Sequence, residues 1–256
     1  MKHFVLFGAF AALLPLSLSA QTADEIVAAS RDRIKADTVS TRSRMVIYDK
    51  NGSTTERLID QYSADAKEGT RTVIVFQKPA SVAGTRFLTV ENPGKSDDRW
   101  IFLPSLGKIR RIASAESSGS FMGTDFSYED ISLTDRDADE DTHALLREEP
   151  LDGKACWVIE SIPKESSFQY SKMVSWIDKS NYVLHRVMLY DRKGAALKQL
   201  DTGKLEIVQG RLTPMLMRMS SLQEKTATEV RVEIMRYDDK IPPSVFTTRF
   251  LETGRP

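Results

Sequence analysis

The residues of this 256-residue chain best suited to chemistry are two of its three histidines (His3 lies in the N-terminal apolar stretch), one cysteine, an acidic run and a basic cluster. No HExxH or cysteine-rich spacing surrounds His143 and His185, so a zinc site lacks ligands. His185 sits among apolar neighbours in VLHRVMLY, the setting of a strand histidine. Cys156 stands beside Trp157 in an apolar stretch, with no nearby cation in sequence to lower its pKa, which reads as an inert thiol. GSFMG, residues 119–123, lacks the serine of a GxSxG elbow, and neither a phosphate loop nor a dinucleotide fingerprint occurs. DRDADED, residues 135–141, starts like a calcium loop. An EF-hand, however, needs glycine where Glu140 stands and a bidentate glutamate where Leu146 stands. We therefore expect no catalytic residue, no metal and no cofactor, and a protein that is not an enzyme. Lys108, Arg110 and Arg111 fit either docking of a partner or an anionic lipid headgroup, or the solvent face of a strand.

The totals narrow the class. The first residues, MKHFVLFGAFAALLPLSLSA, combine an early Lys2, an apolar run and a small residue at Ala20, which reads as a cleavable secretory signal over 1–20. The run is short for a bilayer span and ends in Pro15 and serines. The remainder, 21–256, is expected to be one domain exported to a bacterial periplasm. The whole chain carries 36 basic and 36 acidic residues; a nucleic-acid binder would need a strongly positive surface, so no nucleic-acid partner is expected. With a single cysteine an intrachain disulfide is impossible, and the fold must rest on its core.

The elements that position these residues are mostly strands. TADEIVAASRDRIKAD, residues 22–37, places Ile26, Val27, Ser30 and Ile34 on one stripe, and Thr22 and Glu25 have capping-box spacing, so one amphipathic helix is predicted. Thereafter the period is two, with short apolar runs between turn residues; Asn51-Gly52 is the strongest hairpin signal. In residues 229–237, Val230, Val232 and Ile234 are expected to face one way. Roughly eleven strands without a βαβ rhythm give a mainly β protein, a large antiparallel sheet that must curl around something.

Several strands are apolar on both faces. In RWIFLP, Trp100 and Phe102 share one face while Ile101 and Leu103 share the other, and the strands holding Phe76 and Trp176 behave similarly. Met215, Met217 and Met219 line one face of LTPMLMRMSS, where flexible thioethers suit variable apolar shapes. Two readings stand: ordinary core, or an apolar cavity lined by Phe76, Trp100, Phe102, Trp176, Met188, Met215, Met217 and Met219.

The runs W-x-F-L-P-S-L-G-K-x-R-R at 100–111 and S-F-M-G-T-D-F-S-Y-E-D at 120–130, with the late 246–251 end, resemble the LolA-like family of periplasmic outer-membrane lipoprotein-sorting proteins. The likeness spans nearly all of 21–256. It implies an open, half-closed antiparallel β-barrel capped by helices, whose concave side binds acyl chains. It further implies a carrier for lipoproteins or another lipid, working between the inner membrane and an outer-membrane acceptor, or beside an RND-type exporter. On this resemblance residues 100–103 form a cavity strand and 108–111 an outward edge. Phe121, Met122, Gly123, Asp125, Phe126 and Tyr128 belong to a mobile flap near the mouth, with Gly119 and Gly123 giving backbone freedom. The alternative is a periplasmic sensor domain that binds a membrane signalling protein of the anti-sigma type.

Overall fold

The period-two runs do become strands, and they join into one continuous sheet. The computed structural model describes residues 21–66, 68–133, 136 and 138–256; the expected signal over 1–20 lies outside the described residues. Thirteen strands, β1 (Thr38–Tyr48), β2 (Thr54–Ala64), β3 (Arg71–Lys78), β4 (Arg86–Val90), β5 (Asp98–Leu103), β6 (Lys108–Ile112), β7 (Asp141–Leu151), β8 (Lys154–Pro163), β9 (Lys172–Asp178), β10 (Leu184–Tyr190), β11 (Ala196–Val208), β12 (Arg211–Ser221) and β13 (Thr226–Tyr237), pair in the order β6-β5-β4-β3-β2-β1-β13-β12-β11-β10-β9-β8-β7. Two antiparallel meanders thus meet where β1 pairs β13, from Val39 opposite Tyr237 to Tyr48 opposite Ala227. The outer edges β6 and β7 do not pair with each other, which leaves the barrel half-closed.

The count exceeds the expected eleven. Lys108–Ile112, KIRRI, is a strand of its own, paired with β5 from Arg99 opposite Ile112 to Leu103 opposite Lys108. Ile234 also departs from expectation. A register shift at Arg42/Ser43 breaks the alternation, so Val230 and Val232 are buried while Ile234 is 50% exposed. The Asn51-Gly52 turn forms within a longer loop, where the Asp49 carboxylate accepts from the amides of Asn51 and Ser53 at 2.8 and 2.9 Å.

Curvature follows from who shares the core. Side chains from both meanders, Met45, Ile59, Ile74, Phe76, Phe87 and Ile101 from the first and Met173, Val187, Leu200, Met219 and Val230 from the second, belong to one buried cluster. Only a concave face lets strands so far apart in the sheet meet. Helix α1 (Ala23–Asp32) covers the same face at the β8–β9 end, seating Ala23, Ile26 and Val27 on Trp157, Ile159 and Ile177. Its predicted cap is present: the Glu25 amide donates to Thr22 Oγ1 at 3.2 Å and the Thr22 amide to Glu25 Oε2 at 2.9 Å.

A second helix was not anticipated as an element. α2 (Thr248–Thr253), with the turn Pro243–Phe246 before it, lies on the convex side of the first meander. Val245, Phe246, Phe250 and Leu251 pack there on Val73 and Leu88. No helix among the described residues is long and apolar enough to cross a membrane.

Candidate functional site: a concave face closed by the β6–β7 connection

Ending the first meander at β6 and starting the second at β7 forces the chain to cross the open gap. It does so over the concave face. The described residues of 113–140 contain no strand of the sheet, only short 3-10 turns, and they carry Phe121 and Phe126 into the inner cluster, with Met122, Tyr128, Ile131 and Leu133 packed against it. Phe121 is fully buried, with its ring centroid 5.1 Å from Phe87, 5.7 Å from Phe76 and 5.7 Å from Tyr128. Such edge-on and tilted contacts are favourable aromatic geometry.

These residues lie inside the hollow and fill it, where the sequence placed them at its mouth. The local chain shows why they can. Phe121 to Phe126 fold back tightly, the Phe121 amide donating to Phe126 O at 2.8 Å and the Thr124 amide to Phe121 O at 3.0 Å. Met122 and Gly123 take φ of 53° and 74° in that turn. Glycine at 119 has a different reason, since a Cβ there would lie 3.0 Å from Glu116 O.

The plug is tied down by polar groups. Arg57 Nη1 donates to Met122 O at 2.7 Å. Thr228 Oγ1 donates to Asp125 Oδ2 at 2.6 Å and accepts from the Asp125 amide at 3.0 Å, while Thr226 donates to Oδ1 of the same carboxylate. Asp130 is the most enclosed tie. Its carboxylate, with 0% side-chain exposure, accepts from Lys198 Nζ at 2.8 Å, Tyr170 OH at 2.7 Å and the Ser127 amide at 2.8 Å. Burial, and then the Asp130 charge, push the Tyr170 hydroxyl far above its ordinary value, so it stays a donor.

The eight expected cavity residues do not come together. Phe76, Met217 and Met219 belong to the concave cluster, and Met215 is buried two residues before Met217 in the same strand. Trp100 and Phe102 point to the opposite face and pack beneath α2, where Arg86 also stacks over the Phe102 ring at 4.6 Å. Ile101, the residue between them, takes the concave position. Trp176 and Met188 also face outward, since their row-mates alternate with the concave Val187. Trp176 Nε1 donates there to Glu149 at 2.6 Å, among charged pairs such as Arg186–Asp201 and Lys172–Glu160. Sequence reasoning missed Met45, Ile59, Phe87, Phe168, Tyr170 and Lys198 as inner residues. The signal for the first three was plain strand alternation; no spacing links Lys198 to Asp130.

The basic cluster is split as well. Lys108 and Arg110 leave β6 on one side and Arg111 on the other; Arg110 pairs with Glu116 at 2.8 Å, Arg111 with Asp98, and Lys108 is exposed. The histidines are engaged structurally. His185 Nε2 lies 3.2 Å from Asp178, while His143 has Nδ1 2.7 Å from Ser161 Oγ and Nε2 2.9 Å from Ala138 O. Ser161 is 5% exposed, so this Ser–His contact sits away from solvent. Burial, and next the Asp178 charge, raise the Cys156 thiol above its ordinary value. Among the described residues no three His, Cys, Asp or Glu side chains are grouped to hold a metal.

Clefts of mixed polar and apolar lining open to solvent. One of about 630 Å³ is lined by Arg42, Arg44, Glu56, Arg57, Lys78 and Glu233, with Arg42 held by Asp60 and Arg44 by Glu56 and Glu233. Another, of about 730 Å³, lies where the loops beside β5, β6, β7 and β9 meet.

The family profile that matches residues 68–253 is described as an uncharacterised protein. A DUF1329 family protein from Desulfovibrio piger superposes with a TM-score of 0.84 at 30% identity, over 90% of this chain and 97% of its own. A domain from Vibrio parahaemolyticus, described as an outer membrane lipoprotein-sorting protein, has a TM-score of 0.84 at 28% identity, over 90% and 98%. A LolA superfamily protein from Nitrosomonas europaea has a TM-score of 0.73 at 20% identity, over 90% and 100%, a likeness of fold. No curated protein matches the chain.

Proposed function

This chain belongs to the DUF1329 family, and we propose that within it the chain is a periplasmic carrier for lipoprotein acyl chains or another lipid, whose acyl tail enters the concave face by displacing the β6–β7 connection. One observation carries the reading. The most apolar surface of the sheet is closed by a segment that has no strand of its own and is fastened through side-chain polar ties at Asp125, Asp130 and Arg57. A face meant only as core is more simply closed by another sheet or helix, as α2 closes the convex side.

The energetics allow the exchange. Burial is worth about 0.8 kcal/mol per methylene, so a tail of about twelve carbons gains about 10 kcal/mol on leaving water. Exposing Phe121 and Phe126 costs about 1.5–3 kcal/mol each, and the partly buried Met122, Tyr128, Ile131 and Leu133 and the polar ties add to it, so a bound tail and the plug are of comparable weight. Met45, Met173, Met217 and Met219 among the inner residues adapt to a flexible tail better than branched side chains do. In this reading the protein binds and releases cargo without a chemical step. It passes that cargo to an outer-membrane acceptor or takes it up beside an RND-type exporter.

The test is a reversible lock. With Cys156→Ser as background, Asp125→Cys and Thr228→Cys place two thiols at the contact that joins plug to β13. The reduced protein is expected to bind a fluorescent fatty-acid probe and the oxidised protein to lose that binding at least tenfold. Equal binding in both states, or none by the unmodified protein together with no copurified lipid, overturns the proposal.

A further inference from the structure

We infer that the cargo carries an anionic group at the head of its acyl tail, a carboxylate or a phosphate, which takes the place of the Asp130 carboxylate on Lys198, Tyr170 and Gln169. This rests on the carrier reading and names the chemical class of the cargo.

Asp130 belongs to the plug, but the groups that hold it do not. Lys198 stands on β11, and Tyr170 and Gln169 lie in the connection 164–171 that leads into β9. That connection has its own fastening at the end of β10: Arg192 Nη1 donates to Phe168 O at 3.1 Å and the Ser171 amide to Tyr190 O at 3.0 Å. When residues 119–133 are displaced, the receiving groups stay. All three donate to the carboxylate, Lys198 Nζ to Oδ2 at 2.8 Å, Tyr170 OH to Oδ1 at 2.7 Å and Gln169 Nε2 to Oδ1 at 3.3 Å. The other acceptors of Gln169, Ser127 Oγ at 2.7 Å and the Glu129 carboxylate at 3.2 Å, leave with the plug.

The ammonium makes the strongest demand. The Lys198 side chain is 14% exposed, and among the described residues it pairs with no carboxylate besides Asp130. A buried charge stripped of its counter-ion is strongly destabilised, so a neutral tail that opened the plug would leave an unpaired lysine against hydrocarbon. The remaining ties ask for less. Thr226 and Thr228 are neutral hydroxyls, and Arg57 is half-buried with a turn carbonyl as its partner. An incoming anion restores charge-assisted hydrogen bonds at Lys198 and Tyr170. Its position also fits, because Tyr170 and Leu200, two residues along β11 from Lys198, belong to the concave cluster. The plug itself has the composition of such a ligand, with Phe121 and Phe126 in the hollow and a carboxylate beyond them.

The experiment measures displacement of a fluorescent fatty-acid probe by laurate, dodecyl phosphate and dodecanol, with acetate and inorganic phosphate as anions that lack a tail. Dodecanol has the least polar head, so an apolar hollow alone favours it. The unmodified chain is expected to prefer laurate or dodecyl phosphate over dodecanol by about fivefold or more, and to release no probe to acetate or phosphate at the same concentrations. Asp130→Leu with Lys198→Met removes the pair without stranding either charge and is expected to bring the preference below that level. Asp130→Asn keeps Lys198 and takes away the plug's own anion; it is expected to tighten all three tailed ligands and to retain the preference. The ratio within each variant is what is read, so changes in the plug's stability cancel. A smaller preference in the unmodified chain, its survival in the double variant, its loss in Asp130→Asn, or probe release by acetate or phosphate overturns the inference. Dodecanol bound as well as laurate leaves the carrier standing and removes the anion; failure of every tailed ligand to bind removes the carrier and this inference with it.

Discussion

On its convex side the first meander is covered by Val245, Phe246, Phe250 and Leu251, and on its concave side by Phe121, Phe126 and Tyr128. The two covers bury similar chemistry but are fastened differently. The convex cap ends in a helix whose Gly254 takes φ of 66°, and Arg86 adds two hydrogen bonds to its backbone, from Nε to Leu251 O at 2.6 Å and from Nη2 to Glu252 O at 3.2 Å. Apart from Arg86, which also lies over the Phe102 ring, the cap is held mainly by apolar packing on Val73 and Leu88. The concave plug adds a buried ion pair, a bidentate Asp125 tie and an arginine on a turn carbonyl. Polar ties contribute little net stability because water competes for them, yet they fix one geometry until something replaces them. On the proposed carrier reading, the difference is that between a permanent cover and a removable one.

The largest expected effect breaks the plug's anchor. Asp130→Ala leaves the buried Lys198 and Tyr170 without their acceptor and should cost about 3–5 kcal/mol in denaturant unfolding, whereas replacing Asp130 and Lys198 together with Leu and Met should cost much less. Next, Leu251→Ala beneath the convex cap should cost about 2–5 kcal/mol and leave fatty-acid affinity unchanged. Phe121→Ala separates the covers further: it should lower stability, yet tighten probe binding by about tenfold or more, because the tail no longer displaces a ring worth about 1.5–3 kcal/mol. The smallest effect is electrostatic. Glu129 has a folded pKa above its unfolded one, so its charged form penalises the fold above that folded value and not below the unfolded value. Glu129→Gln should therefore raise the melting temperature at pH 7, and the gain should fade as pH falls below the raised folded value and be gone once pH is under the ordinary glutamate value.

Much of this was legible before any coordinates. Period-two alternation located nearly every strand, and Thr22 with Glu25 marked the start of α1. Where alternation was apolar on both faces it could not say which face was inner. In RWIFLP the larger pair, Trp100 and Phe102, went outward because α2 waits there, and TRFLET is too short a segment to announce itself as a helix. The plug was unreadable as a plug for another reason. Phe121, Phe126 and Tyr128 follow no period, and their burial is decided by strands distant in sequence. The Asp130–Lys198 pair joins residues 68 apart across the connection and β11, a contact that only the order of the sheet creates. KIRRI hid its strand character behind three charges in five residues.

Hydrogen exchange with and without a bound fatty acid compares the two covers within one molecule. Displacement of the plug predicts that the amides of residues 119–133 exchange faster when the acyl chain is bound, while those of residues 245–254 keep their protection. Unchanged or slowed exchange at 119–133 in a protein shown to hold the ligand would contradict the account.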